Sequence, residues 1–281
     1  MAKEKVKEPQ YFRSAINNPT LNYKVYVMNT SEKILYFCLI FIAGGLVGEV
    51  FYGGLFKTDG IATFATYISD TVVFCLIGLI AAKIFIPIIA ESLRKKRLSR
   101  MKLQFRDFLT ALSNSIAGGM NVNDSIKNAR NDLVIQYSED SYIVKEINEL
   151  IVGMENNVSL EEMLVDLGNR SGDDDILNFA TVFNMCYRSG GNLKEVMKRT
   201  TDIISTRIAI SQEIETKLTS NKVQFMAMEA IPIVLMLMMK FMSSDFAESF
   251  TSVTGVISIT LGVGLFVAAY MVAQKIMTIK G

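Results

Sequence analysis

The chain has 281 residues, of which 50% are hydrophobic and 20% are charged, and its mean hydropathy is positive at +0.30. This composition is too apolar for an ordinary soluble protein and too charged for one that lies wholly in a membrane. Because the chain contains no histidine, Ser/His/Asp catalysis, Cys/His catalysis and imidazole metal sites are excluded. The net charge of +1 becomes informative only when it is divided by region.

The apolar residues are concentrated in four blocks, each of about the length that a helix needs to cross the hydrocarbon core of a bilayer. The blocks run from Ile34 to Phe51, Thr71 to Ala90, Val223 to Met242 and Val253 to Ala273. We therefore predict four transmembrane helices.

The positions of Lys and Arg predict the orientation of these helices, because cytoplasmic flanks carry the excess of positive charge. Six cations precede the first block, and seven lie between Arg94 and Arg106, directly after the second. The two intervening loops, 52–70 and 243–252, hold only Lys57 between them. Both termini and the long stretch between the second and third blocks are thus expected in the cytoplasm, with localisation to the cell (inner) membrane.

Helical periodicity recurs in that long stretch, and no segment of it is typical of a strand. Apolar stripes at helical spacing begin at Phe105, Ile143 and Leu160, and glycine, asparagine and serine separate them. We predict six helices near 101–117, 123–132, 139–154, 159–169, 173–188 and 192–220. The last should continue without a break into the third span.

The predicted fold class is an all-α polytopic membrane protein with four transmembrane helices in two hairpins that frame a six-helix cytoplasmic bundle. The predicted domains are a cytoplasmic N-terminal segment (1–33), a first transmembrane hairpin (34–90), the cytoplasmic bundle (91–222), a second transmembrane hairpin (223–273) and a cytoplasmic tail (274–281).

The stretch from Leu103 to Pro232 resembles the type II secretion F domain. Two segments carry the likeness: an apolar helix that leads through Gly118-Gly119 into a short helix, and a G-G-N-L turn, Gly190-Gly191-Asn192-Leu193, that introduces a long helix. With two spans before one such domain and two after it, the chain is similar to Tad-type (tight adherence, TadB-like) platform proteins.

The resemblance implies a protein without enzymatic activity and without cofactors, in the inner-membrane platform of a Tad pilus, type IV pilus or type II secretion-like machine. Such a platform couples a cytoplasmic secretion ATPase to the extraction and polymerisation of pilin subunits. The expected partners are that ATPase, pilins, membrane lipids and either a second platform protein or another copy of this chain, and no nucleic acid.

The bundle after Arg106 holds 18 acidic and 11 basic residues, a net charge of −7. The acidic surface is either simply solvated or steers a basic surface of the ATPase toward the bundle. The residues that we expect on the ATPase side are Glu161, Glu162, Asp166, Asp173, Asp174 and Asp175. For the last three, helix capping is the alternative explanation and cation binding a weaker one.

Two further groups of residues are candidate sites. The basic cluster, Arg94, Lys95, Lys96, Arg97 and Arg100, abuts a span and is expected to contact anionic lipid headgroups, because no aromatic residues are interleaved as nucleic-acid binding would require. Gly190, Gly191 and Asn192 are expected to form a structural turn, which either only joins two helices or also contacts a partner.

Lys83 and Glu229 are predicted at similar depths on the cytoplasmic side of the membrane. They either form an ion pair, within the chain or between subunits, or Lys83 extends to the headgroups while Glu229 is protonated. Because Asp70 and Lys240 also lie in or beside spans, a small transporter or channel with a regulatory cytoplasmic domain is the alternative function. A membrane ATPase is less favoured, since there is no phosphate-binding G-x-x-x-x-G-K-[ST] motif.

Overall fold

The structure is a computed structural model that describes residues 9–14, 16–55, 62–189, 192–242, 249 and 252–278. Within these residues the regular structure is almost entirely helical, so the all-α class is confirmed. The elements are β1 (Tyr11–Arg13), β2 (Pro19–Leu21), α1 (Thr30–Tyr52), α2 (Phe64–Ala117), α3 (Val122–Tyr137), α4 (Tyr142–Glu155), α5 (Leu160–Ser171), α6 (Asp174–Ser189), α7 (Leu193–Met242) and α8 (Val253–Thr278).

The chain divides into two compact units. The bundle unit comprises Met1–Val27 and Ala90–Ser211, and the membrane-helix unit comprises Met28–Ile89 and Gln212–Gly281. We predicted residues 1–33 as a segment separate from the bundle, whereas most of that segment lies in the same unit as the bundle. The arrangement of the four spans as two hairpins stays a prediction.

Four helices are long and apolar enough to cross a membrane, and they coincide with the four predicted blocks. They are α1, the first part of α2, the last part of α7, and α8. Between 0% and 11% of the most apolar 18-residue window of each helix is buried within the chain. Apolar side chains that are exposed to this degree over whole helices are typical of a surface that faces lipid.

Two long helices, α2 and α7, each connect a membrane span with the bundle. The second span and the first bundle helix, predicted separately, form the single helix α2, because no glycine or proline lies between Ile88 and Ala117. Pro87 is accommodated inside the helix. Helix α7 runs from Leu193 to Met242, which agrees with the predicted unbroken helix into the third span. Pro232 lies inside it in the same way.

Side-chain caps explain where most of the shorter bundle helices begin. Asn121 accepts a hydrogen bond from Asp124 N at 2.8 Å before α3, and Ser159 accepts one from Glu162 N at 3.3 Å before α5. Helix α3 extends five residues beyond its predicted end at 132 and stops at Ser138, which has a φ of +76°. Ordinary residues occupy such a conformation rarely, so it marks the end of the helix.

The predicted apolar stripes form the core of the bundle. Phe105, Phe108, Leu109 and Leu112 of α2 are at most 1% exposed. The stripes of α4 and α5 are buried with them: Ile143, Ile147, Leu150, Leu160, Met163, Leu164 and Leu167. The ring of Phe105 meets that of Phe179 from α6 edge to face at 5.5 Å. Each such buried side chain stabilises the fold by about 1.5–3 kcal/mol.

The first two membrane helices approach each other closely through glycine. A Cβ atom on Gly44 of α1 would lie 2.6 Å from Ala81 Cβ, and one on Gly78 of α2 would lie 2.7 Å from the Phe41 carbonyl oxygen. Close approach at Gly44 and Gly48 is what their spacing of four residues predicts. A similar spacing in α8 has no such partner in the described part of the chain, because a Cβ on Gly262 would meet no atom within 4 Å there.

Candidate functional site

The N-terminal segment is fixed to the bundle by a network of buried charges. Strands β1 and β2 form an antiparallel pair, and Tyr23 follows them at 1% exposure. The Tyr23 hydroxyl donates to Glu146 Oε1 at 2.9 Å, and Tyr23 N donates to the Arg170 carbonyl oxygen at 3.0 Å. Arg170 Nη1 in turn donates to the Leu21 carbonyl oxygen at 3.0 Å. This segment therefore completes the bundle surface.

Arg170 is the centre of that network. Its Nη2 lies 2.7 Å from Glu146 Oε2, and its Nε lies 2.7 Å from Asp166 Oδ2. Burial by itself lowers the pKa of Arg170, but the Glu146 and Asp166 carboxylates outweigh this effect and raise it. The pKa of the Tyr23 phenol is raised, first by burial and then by the Glu146 carboxylate. The network thus holds a charged guanidinium and a neutral phenol.

The six acidic residues that we predicted on the ATPase side do not form one free surface. Glu162 and Asp174 are exposed. The other four make contacts inside the bundle: Asp166 with Arg170, Glu161 with Arg188 at 3.7 Å, Asp175 with Arg207 at 2.8 Å, and Asp173 with Lys102. Asp173 also caps α6, since its Oδ1 accepts from Asp175 N at 3.1 Å and Ile176 N at 3.3 Å.

The predicted turn before α7 lies partly outside the described residues, because Gly190 and Gly191 are not among them. Asn192 is described, and its side chain forms reciprocal hydrogen bonds with Glu195. Glu195 N donates to Asn192 Oδ1 at 3.4 Å, and Asn192 Nδ2 donates to Glu195 Oε2 at 3.2 Å. The first of these bonds provides an acceptor for a backbone N–H group in the first turn of α7.

The basic cluster differs in exposure from residue to residue. Lys95, Lys96 and Arg100 are exposed, and Arg94 is paired with Glu91 at 2.7 Å. Arg97 is half-buried, with its guanidinium carbon 4.3 Å above the centroid of the Tyr26 ring. Contact of the cluster with lipid headgroups stays a prediction.

Lys83 and Glu229 are not brought together by the structure. Lys83 is exposed and Glu229 is half-buried, and no ion pair within 4.0 Å joins these two described residues. A pair between neighbouring subunits therefore stays a prediction.

Polar contacts at the end of α1 connect it to the three other membrane helices. Gly54 N donates to Asp70 Oδ1 of α2 at 2.9 Å, and Lys240 Nζ of α7 donates to the Gly53 carbonyl oxygen at 3.2 Å. The Tyr52 hydroxyl lies 3.2 Å from Thr260 Oγ1 of α8. Sequence reasoning had singled out Asp70 and Lys240 as charges but gave no sign of these partners.

No group of three or more Asp, Glu or Cys side chains with the geometry of a metal site occurs in the part of the chain that the structure describes. With four candidate membrane spans and a bundle built of helices, the molecule is a polytopic helical membrane protein.

Residues 108–241 match the family model described as Type II secretion system (T2SS), protein F. The matched stretch overlaps most of the range 103–232 that resembles this domain and extends nine residues beyond it, so it supports the resemblance. Comparisons with curated proteins and with solved structures give no match. The match supports a resemblance to the secretion and pilus assembly platforms, a family of multi-pass inner-membrane proteins that are generally not enzymes.

Proposed function

We propose that this protein is the Tad-type platform of a pilus or type II secretion-like machine, which couples a cytoplasmic secretion ATPase to pilin extraction and polymerisation. The observation that carries the proposal is the F domain at residues 108–241 in a chain with four candidate membrane spans. A single helical bundle with two apolar helices before it and two after it is the feature that favours the Tad type.

The proposal includes an orientation and a set of partners. The positive flanks of the first two spans favour termini and bundle in the cytoplasm, where the ATPase is. Pilins would meet the membrane helices, and a second platform protein or another copy of this chain would complete the assembly. The basic cluster would contact anionic lipids at the cytoplasmic surface.

The contacts within the bundle narrow the proposed ATPase-binding surface. Asp166, Asp173 and Asp175 form ion pairs with Arg170, Lys102 and Arg207, so their replacement would disturb the fold as well as any partner. Glu162 and Asp174 are exposed and form no ion pair within 4.0 Å with another described residue. We therefore assign the electrostatic part of ATPase recognition to Glu162 and Asp174.

Co-purification of the full-length protein with a secretion ATPase from the same cell tests this assignment. We expect binding that weakens as salt is raised, because added ions screen contacts between exposed charges. The double reversal Glu162→Lys and Asp174→Lys should weaken binding by about fivefold to thirtyfold, because two contacts of about 0.5–1 kcal/mol each are lost.

The matched control is the double reversal Asp132→Lys and Glu155→Lys, which introduces the same charge at two exposed acidic positions of α3 and α4. It should leave most of the affinity intact. Equal loss in both double variants would mean that only net charge matters, and binding that does not respond to salt would indicate an apolar interface instead.

The transporter alternative receives no specific support. Asp70 and Lys240, two of the charges that suggested an ion path, are engaged with the backbone of Gly54 and Gly53. Substrate flux through the purified protein in liposomes, with no ATPase bound, would revive that alternative.

A further inference from the structure

Arg97 has two guanidinium nitrogen atoms that are buried and that the described residues leave without an acceptor. Its Nε and Nη1 atoms are buried without a hydrogen-bond partner among the described residues, and no carboxylate pairs with it there. Its guanidinium lies over the face of the Tyr26 ring. Buried charged donors without an acceptor are costly and rare, so these nitrogen atoms are suited to bind an acceptor that the described residues do not supply.

Arg97 faces a cavity of about 340 Å³ inside the bundle unit. The β1–β2 pair forms one wall, and α4 forms another. The side chains that define its chemistry are Tyr11, Arg97, Tyr142, Lys145, Glu146 and Glu149. The cavity therefore has aromatic walls and charges of both signs.

Most of these charges already have partners within the chain. Glu146 is held by Arg170 at 2.7 and 3.1 Å, and Lys145 Nζ lies 3.1 Å from Asp140. Glu149 accepts only from the Asn18 amide, at 3.2 and 3.3 Å, and has no cation within 4.0 Å among the described residues. Among the cavity-lining residues that the structure describes, Arg97 and Glu149 are thus a cation and a carboxylate with no ion pair to another described residue.

We propose that this cavity binds a zwitterionic phosphate ester of the phosphoethanolamine class. The phosphate accepts hydrogen bonds from the Arg97 guanidinium, and the ammonium group donates to the Glu149 carboxylate. Such charge-assisted hydrogen bonds are the strong ones, and arginine is well suited to phosphate. A ligand that carries charge of only one sign would leave either Arg97 or Glu149 without an oppositely charged partner. The headgroup of an aminophospholipid and a soluble phosphoamine share this chemistry.

The first test is the unfolding midpoint of the full-length protein in detergent, with phosphoethanolamine as the probe. Sodium phosphate and ethanolamine hydrochloride, each at the same ionic strength, are the comparisons. We expect phosphoethanolamine to raise the midpoint more than either half of the molecule does. Failure of phosphoethanolamine to raise it, or an equal rise with phosphate alone, would overturn the proposal.

Variants separate a built site from general charge. Arg97→Gln and Glu149→Gln should each increase, by about tenfold or more, the concentration of phosphoethanolamine that is needed to raise the unfolding midpoint. The controls Lys96→Gln and Glu155→Gln remove the same charges at exposed positions outside the cavity and should respond like the wild type. Equal effects of Arg97→Gln and Lys96→Gln would reduce the site to diffuse electrostatics and overturn the proposal.

Two further measurements distinguish loss of binding from loss of the fold and identify the source of the ligand. Arg97→Lys keeps the charge and the bundle, and should bind more weakly than the wild type but more strongly than Arg97→Gln. In nanodiscs, native mass spectrometry should show retained phosphatidylethanolamine in the wild type and less in Arg97→Gln if the source is lipid. No retained lipid, with binding of the soluble probe, would assign a soluble ligand, and preferential retention of phosphatidylglycerol would contradict the site.

Discussion

The bundle unit buries its apolar side chains within the chain, whereas the membrane-helix unit leaves its apolar side chains exposed. In the bundle, the apolar stripes of α2, α4, α5 and α6 are buried against each other. In the four spans, at most 11% of the most apolar window is buried within the chain. The bundle thus obtains its stability from its own core, whereas the spans present apolar surface that only lipid or other membrane helices can cover.

The two units also differ in how charge is held. The bundle encloses an ion pair, Glu146 and Arg170, with both side chains only 6% exposed. The membrane-helix unit instead places Lys240 and Asp70 against backbone atoms next to the end of α1. A buried pair makes the bundle sensitive to the loss of one partner, because the other is left uncompensated. Close glycine contacts make the spans sensitive to added volume.

The largest effect should come from Arg170→Met in the bundle. Removing one member of a buried pair costs about 3–5 kcal/mol, and this variant also removes the bond to the Leu21 carbonyl oxygen. The N-terminal segment should detach more often, so tryptic cleavage after the exposed Lys24 should accelerate by about 100-fold or more in the full-length protein.

Arg188→Met is the control for that variant. The Arg188 side chain is 70% exposed and lies 3.7 Å from Glu161, a contact that contributes little. Its cleavage rate after Lys24 should stay near that of the wild type. Unchanged cleavage in Arg170→Met would show that the buried network does not hold the segment.

An intermediate effect is expected for Gly78→Ala in the spans. The new Cβ would lie 2.7 Å from the Phe41 carbonyl oxygen, and backbone at that distance cannot move aside without shifting a helix. Overpacking of this kind costs about 1–3 kcal/mol. The unfolding midpoint in detergent should fall, whereas Gly262→Ala, with no atom within 4 Å of its new Cβ, should leave it almost unchanged. Equal midpoints would mean that α1 and α2 do not pack through these glycines.

The smallest effect that we expect is a change in the pH dependence of stability when Tyr137 is replaced. Burial, and then a hydrogen bond to Asp107, raise the pKa of the Tyr137 phenol from 10.0 to about 12. The folded protein holds this proton more tightly than the unfolded chain does. The protonated phenol therefore contributes fully to the free energy of unfolding below pH 10, and this contribution is lost as pH rises from 10 to about 12.

The measurement is the difference in unfolding midpoint between the wild type and Tyr137→Phe at pH 8 and at pH 11.5. The advantage of the wild type should shrink at the higher pH, because only the wild type loses this contribution. Lysine titration affects both proteins equally. An advantage that does not change with pH would argue against a raised pKa.

The parts of the structure that could be predicted from the sequence are those with a local signal. The stripes around Phe105 and Ile143 are periodic over several turns, and capping pairs such as Ser159 and Glu162 are three residues apart. These signals located the helices of the bundle, and the length of the apolar blocks located the spans.

What could not be predicted depends on residues that are far apart in the chain. Tyr23 and Glu146 are separated by 123 positions, and β1 and β2 are too short for an alternating pattern to stand out. For the same reason, an acidic residue such as Asp173, next to others in the sequence, gave no sign of its ion pair with Lys102. The sequence shows which residues carry charge but not which of them fold onto a partner.

Complementation of a deletion strain tests the proposed platform most directly, with surface pili or secreted substrate as the measurement. The wild-type chain should restore assembly. A variant with two glycines inserted after Thr206 in α7 should bind the ATPase and remain in the membrane, yet restore no assembly, because the insertion interrupts the helix that runs from the bundle into the third span. Normal assembly in the deletion strain itself, or full restoration by the glycine variant together with ATPase-independent substrate flux, would contradict the platform function.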